Sequence, residues 1–389
     1  MLRLPIYMDY NATTPCDERV VQAMLPYFTE SFGNAASRSH AFGWKASEAV
    51  EYAREQVAEL IGAIPQEVIF TSGATESCNL AIKGVCDLYA SKGNHIITTE
   101  IEHKAVIDTC RQLEKTGTEV TYLKVNTDGF ISVDELQAAI RPSTILLAVM
   151  YANNEIGVVQ PMREISAIAK RSGVIFFADA TQAIGKIPVD VQADGIDLMA
   201  FSAHKMYGPK GCGALYVRRK NPRVRLTAQL HGGGHERDMR SGTLNVPGIV
   251  GMGAAAALSL HHQSGEMRFL RDKLEERLLK IEGTHVNGSR QFRLPNTVNI
   301  AFEHVDGNAL LIALQKDMAL SSGSACTSAS LEPSYVLKAI GLKDELAKSS
   351  LRFSVGRYTN EEEINYVTEK VSEAVINLRK LNPLKHSYD

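Results

Sequence analysis

Short apolar runs alternate with amphipathic stretches through more than half of this chain, and each run ends in a polar loop. Between residues 67 and 217 the pattern predicts strands at 67–70, 95–98, 120–123, 144–150, 174–178, 198–201 and 214–217. Helices are expected between them at 75–89, 104–115, 132–140 and 162–171. Ser132 followed by Glu135 reads as a capping box for the third of these. Strands separated by helices at this spacing argue for an α/β fold with a mostly parallel sheet and helices on both faces. An Ala-rich helix is expected from 247 to 260. Beyond it the order changes to helix 267–281, strand 296–302, helix 307–316, strand 318–321, helix 334–340, strand 350–355 and a last helix from 360. This predicts a large domain over 1–260 and a smaller α+β domain over 261–389, which carries a Ser- and Gly-rich segment around Cys326. The first few tens of residues can pack with either.

Composition narrows the function classes. At 389 residues the chain is long enough for two cores. A net charge of −2 supplies no global field for nucleic acid. The longest apolar stretch, 249–258, is too short to span a bilayer, and residues 1–7 lack an apolar signal region, so the expected compartment is the cytoplasm. The six cysteines form no C-x-x-C pair and no structural zinc spacing. Five read as small buried side chains. Cys326 differs, because Ser321-Ser322-Gly323-Ser324-Ala325 before it and Thr327-Ser328-Ala329-Ser330 after it offer nothing that packs like a core leucine. It reads as a reactive thiol.

In open α/β sheets, chemistry gathers beyond the carboxyl ends of the strands. Four such ends are polar here: Thr71-Ser72-Gly73-Ala74-Thr75-Glu76, Asn153-Asn154-Glu155, Asp179-Ala180-Thr181-Gln182 and Ser202-Ala203-His204-Lys205. Each alone is consistent with a capped helix start, a turn or surface decoration. Together they match what a pyridoxal-phosphate site requires: a lysine for covalent attachment, an acid facing the ring nitrogen and donors for a phosphate. Lys205, Asp179 and the 71–75 turn fill these parts, and His103 is placed to stack on a ring. The segment from Gly232 to Thr243 suits contact with an anion. Arg352, in the apolar run 351–355, needs a partner, either a structural carboxylate or a substrate's.

These segments, with Tyr7–Pro15, Glu102–Val106, Ser202–Gly211 and Ser322–Ser328, closely resemble the pyridoxal-phosphate-dependent cysteine desulfurases of the long-loop, housekeeping iron–sulfur type (IscS/NifS-like) in the class-V aminotransferase family. The resemblance runs over nearly the whole chain. It implies the fold type I architecture, a homodimer and pyridoxal 5'-phosphate as cofactor. It further implies that Lys205 carries the cofactor, Asp179 faces the ring nitrogen, Gln182 the ring hydroxyl, and His103 stacks and assists as acid or base. Ala74, Thr75, Ser202 and His204 would hold the phosphate, with Thr243 reaching from a second subunit. Asn154 would lie between cofactor and substrate, and Arg352 with Asn34 would bind the carboxylate of L-cysteine. The expected reaction yields L-alanine and a persulfide on Cys326, which passes sulfur to acceptors for iron–sulfur cluster assembly and tRNA thiolation. Cys326 is also expected to be a ligand, shared with the scaffold protein, of a [2Fe–2S] cluster.

The chain departs from the family pattern at Ala178 and Ala203, and it stops at Asp389 where many relatives continue into a scaffold-docking tail, so scaffold docking is expected to be weaker or built differently. Arg218, Arg219, Lys220, Arg223 and Arg225 form a basic run that reads as a docking patch for acidic partners. No direct contact with nucleic acid or membrane is expected. Competing readings are a selenocysteine lyase or aminotransferase of the same fold, and a non-catalytic sulfur carrier or assembly scaffold. The reactive cysteine separates the first pair, and the lysine constellation argues against the second.

Overall fold

The computed structural model describes residues 2–261, 264–322 and 332–381. The chain opens with β1 (Ile6–Tyr7) and the helices α1 (Glu18–Met24), α2 (Pro26–Thr29) and α3 (Ala41–Leu60). The alternating region follows: β2 (Val68–Thr71), α4 (Ala74–Tyr89), β3 (His95–Thr99), α5 (Lys104–Glu114), β4 (Glu119–Leu123), α6 (Val133–Ala139), β5 (Thr144–Ala148), α7 (Met162–Ser172), β6 (Ile175–Asp179), β7 (Leu198–Ser202) and β8 (Gly213–Val217), closed by α8 (Val246–Leu260). Local chemistry sets the ends. Ser132 Oγ accepts from Glu135 N to start α6, and Gly173 ends α7 with a left-handed φ of 66°.

The seven strands β2 to β8 form one sheet in the order β2-β8-β7-β6-β5-β3-β4. β8 runs antiparallel to both of its neighbours, and the other pairs are parallel. The carboxyl ends of β2, β3, β5, β6 and β7 therefore open on one edge. The central strands are buried along their whole length, as expected where helices cover both faces. Val68, Phe70, Leu147 and Phe176 point into a core shared with α3, α7 and α8, while Ile69, Leu146 and Phe177 point into a core under α4 and α5.

The second unit comprises α9 (Gly265–Leu278), β9 (Thr284–Val286), β10 (Thr297–Phe302), α10 (Gly307–Leu314), β11 (Met318–Ala319), β12 (Ser321–Ser322), α11 (Tyr335–Ala339), α12 (Asp344–Lys348), β13 (Ser350–Ser354) and α13 (Glu361–Leu381). Its four-stranded sheet has the order β12-β13-β10-β9 and is antiparallel throughout. The single strand expected at 318–321 is in fact two. β11 pairs with β1, and β12 crosses to pair with β13. The N-terminus is divided in the same way. Ile6 and Met8 join the core beneath the small sheet, whereas Val20, Val50 and Val57 join the large one. No helix among the described residues is long and apolar enough to cross a membrane.

Candidate active site

Five strand ends of the large sheet meet two segments that cross from the small unit, and between them lies a cavity of about 690 Å³. Ala74 and Thr75 reach it after β2, His103 after β3, Asn154 after β5, Asp179 and Gln182 at the end of β6, and Ser202, His204 and Lys205 at the end of β7. Arg352 enters from β13, and Asp9, Asn11, Ala12 and Thr13 from the strap after β1. The turn before α4 is open toward this space. Gly73 precedes the helix with no side-chain cap, and a Cβ built on it would touch nothing within 4 Å. Gly213 of β8 backs the turn so closely that a Cβ there would lie 2.6 Å from Gly73 Cα. Backbone N–H groups at the start of α4 are thus presented to the cavity as an anion site.

Asp179 is 6% exposed, and Thr181 holds it through N at 3.0 Å and Oγ1 at 2.5 Å. The buried thiol of Cys78 lies 3.8 Å from its other oxygen. Lys205 Nζ donates to the backbone oxygens of Asn11 and, at 2.6 Å, Ala12. His204 hydrogen-bonds Thr13 Oγ1 at 3.1 Å, and burial, reinforced by Lys205, Lys210 and Lys186, pushes its pKa down to about 4. The imidazole is therefore neutral near pH 7. His103 caps α5, its Nδ1 accepting from Ala105 N at 3.1 Å.

Arg352 Nη2 forms an ion pair with Asp9 at 2.6 Å, and its Nη1 donates to Asn154 O at 2.9 Å. Among the described residues, Arg352 Nε and Asn154 Oδ1 are buried in the wall with no hydrogen-bond partner. Both expected roles of Arg352 are thus open to it: it has a structural carboxylate and retains a donor for another. Orphaned buried polar groups of this kind cost about 1–3 kcal/mol each until a partner arrives.

Two expected site residues lie elsewhere. Asn34 is exposed, and its Oδ1 accepts from Ala36 N at 2.9 Å, closing a local turn outside the cavity. Thr243 is exposed on the loop before α8 and does not line its own chain's cavity. Cys326 lies outside the described residues. The basic patch is smaller than expected. Arg218 is 8% exposed and committed inward, with an ion pair to Asp197 at 3.1 Å and bonds to the oxygens of Val191 and Ile196. Arg219, Lys220, Arg223 and Arg225 remain exposed.

Other residues shape the site without having been assigned a role from sequence. Asp9 and Asn11 sit in the segment 7–15, whose motif was visible. Glu102 and Glu155 likewise stood in quoted segments, 102–106 and 153–155, without a task of their own, whereas Lys186 lay in no motif and its signal was only a charge beside an apolar stretch. Burial pushes the Glu102 carboxyl up to about 8 and the Glu155 carboxyl up to about 7.

Comparison with known proteins agrees with this geometry. The class-V aminotransferase family matches residues 6–367. A cysteine desulfurase IscS from Anaeromyxobacter sp. (strain K) is 57% identical over 387 residues, covering 98% of this chain and 95% of the relative. A solved NifS-like protein superposes with a TM-score of 0.88 at 37% identity, covering 96% of this chain and 100% of the other. A second, described as SspA in complex with cysteine, has a TM-score of 0.81 at 38% identity, covering 91% and 100%. The chain belongs to the class-V aminotransferase family and, within it, to the cysteine desulfurases.

Proposed function

We propose that the cavity binds pyridoxal 5'-phosphate on Lys205, takes sulfur from L-cysteine and delivers it to Cys326. The observation that carries this reading is the convergence of Lys205, Asp179, the uncapped turn before α4 and Arg352 on one cavity. The donor set fits the cofactor. The turn before α4, with Ser202 and His204, suits a phosphate, and a buried carboxylate held by Thr181 suits a protonated ring nitrogen. Bound there, the cofactor supplies an electron sink for negative charge at the substrate's α-carbon.

The chain's own groups do the rest. Arg352 holds the substrate carboxylate with the donor it has left over, beside Asn154. Lys205, once released, moves the proton at Cα, and His103 is positioned to shuttle a second proton. The Cys326 thiolate attacks the substrate sulfur. An S–S bond forms as the C–S bond breaks, and the electron pair left on carbon is protonated, so that L-alanine leaves and Cys326 keeps a persulfide. A neighbour described in complex with cysteine supports this substrate class. The exposure of Thr243 outside its own cavity supports service to a second copy of the chain, as a phosphate contact in a homodimer.

Purified protein is expected to be yellow, and Lys205→Ala is expected to abolish the cofactor band. After one turnover with L-cysteine, mass spectrometry should find one added sulfur on the peptide containing Cys326. Cys326→Ser should lose sulfide release while keeping the band. If Cys326→Ser releases sulfide at the normal rate, an aminotransferase or lyase of the same fold replaces this reading. A colourless protein that added pyridoxal phosphate does not restore would point instead to a non-catalytic carrier.

A further inference from the structure

Lys186 stands four residues after Gln182 in the turns that follow β6, behind the cavity wall, and the function proposed above gives it no task. It is 7% exposed, and its Nζ lies 2.6 Å from Gln182 Oε1 and 3.0 Å from Asn11 Oδ1, both neutral carbonyl oxygens. An amine this deep costs several kcal/mol unless its hydrogen bonds are worth keeping. An ammonium has donors only, so the Gln182 atom facing it must be the oxygen. This turns the Gln182 NH2 the other way, where Nε2 donates to the Asn11 backbone oxygen at 3.0 Å and leaves its second N–H for a group in the cavity. The same backbone oxygen accepts Lys205 Nζ. Asn11 is itself pinned across both units. Its Oδ1 also accepts from Asn296 Nδ2 at 3.0 Å, and its Nδ2 donates to Thr297 Oγ1 at 2.8 Å and Asn154 O at 3.2 Å.

We propose that Lys186 is a positioning residue for the cofactor end of the cavity: it locks the Gln182 carboxamide with its N–H edge inward and holds Asn11 beneath Lys205. The proposal rests on the function proposed above, in which Gln182 meets the ring hydroxyl. With Lys186 in place the site offers a donor there and stabilises a negative ring oxygen. Burial first, then Lys205 and Arg352, push Lys186 well below the ordinary lysine range, and the repulsion is mutual. The other titratable groups facing this end are the neutral His204 and Lys210 beside the Lys205 turn, Asp179 on β6, and Asp9 paired to Arg352. Losing Lys186 frees Gln182 to turn its oxygen inward, which raises the proton affinity of the Lys205 nitrogen.

The test is the pH midpoint at which the visible absorption of the pyridoxal-phosphate-loaded protein changes. Lys186→Met is expected to raise that midpoint by about one pH unit. Lys186→Gln, which still donates to the residue 182 carboxamide, should recover more than half of the shift. An unchanged midpoint in Lys186→Met, or equal shifts in both variants, overturns the proposal. If Lys186→Met does not fold, Gln182→Glu carries the same test with Lys186 native. One carboxylate oxygen pairs with Lys186 and the other faces inward as an acceptor, so the midpoint must rise, and a fixed or lowered midpoint overturns the proposal. A missing band in the unsubstituted protein that added cofactor does not restore is a different result: it removes the function proposed above, and this inference with it.

Discussion

Arg54, 3% exposed on α3, closes two 2.8 Å bonds onto Glu236, and Glu236 Oε2 also accepts from Phe70 N in β2 at 2.7 Å. The pair anchors a loop whose Glu236, Arg237 and Asp238 all carry positive φ of 46°, 57° and 62°, a costly backbone for residues other than glycine. Arg54→Met keeps most of the volume but leaves a buried carboxylate without its cation, and is expected to cost about 3–5 kcal/mol. Urea denaturation of the variant measures this, and a loss below about 1 kcal/mol would show that the carboxylate finds another partner. Thr243 lies downstream on the same loop, so cofactor retention should fall with it. At this scale the sequence was readable where several polar strand ends could be taken together: Lys205 and Asp179 follow apolar strands whose ends jointly suit one cofactor, and Arg352 stands out as a charge inside an apolar run. Arg54 and Lys186 were not readable, because their partners lie 182 and 175 residues away, and only the fold brings them together.

The turn between β2 and α4 depends on its neighbour β8. Gly213 lets that strand approach until a Cβ would stand 2.6 Å from Gly73 Cα and 2.8 Å from Phe201 O, so backbone itself would have to move. Gly213→Ala is expected to push the turn into the cavity and weaken pyridoxal phosphate binding at least about tenfold, equal to 1.4 kcal/mol, while leaving the far-ultraviolet circular dichroism intact. Retention of cofactor on dilution reads the effect, and unaltered retention would mean the turn yields without harm. The large-sheet strands and their helices were legible from apolar runs because every strand but the edge strand β4 is buried along its length. The helices α1 and α3 were not foreseen. The buried face of α3 includes Gly43, Ala46 and Ala53, which pack tightly yet give little hydrophobic contrast. The three-residue β9 and five-residue α12 are too short to impose a period. The break between β11 and β12 is a choice of partner strand that residues 318–322 do not encode by themselves.

The two units are joined beside the site by carboxyls whose pKa burial raises. Glu102 takes Met150 N at 2.6 Å and Thr99 Oγ1 at 3.0 Å on one oxygen, while its other oxygen is buried with no partner among the described residues. An ionised group would pay heavily for that arrangement, and a protonated one fits it. Its backbone oxygen receives Tyr335 OH at 2.6 Å, and Glu155 receives Ser334 Oγ at 2.5 Å, so the segment leading into α11 rests on both residues. Desolvation raises Glu102 to about 8 and Glu155 to about 7, against 4.5 for a free glutamate. The sign follows from proton counting. The folded protein holds these protons where the unfolded chain has lost them, so their contribution is complete below pH 4.5 and is lost as pH rises through 7 and 8. Each carboxyl can tilt stability by at most about 1.4 kcal/mol per pH unit across that window. Denaturation midpoints of the cofactor-loaded protein should therefore fall between pH 5 and pH 8.5, less the opposite contributions of buried bases whose pKa is lowered, such as His204, held down to about 4, and Lys186. Glu102→Gln presents a neutral carboxamide in the same space and should flatten the upper part of that fall, leaving the shallower slope due to Glu155. A pH profile identical to the unsubstituted protein's would mean that Glu102 is ionised in the fold, with a water or cation meeting its second oxygen.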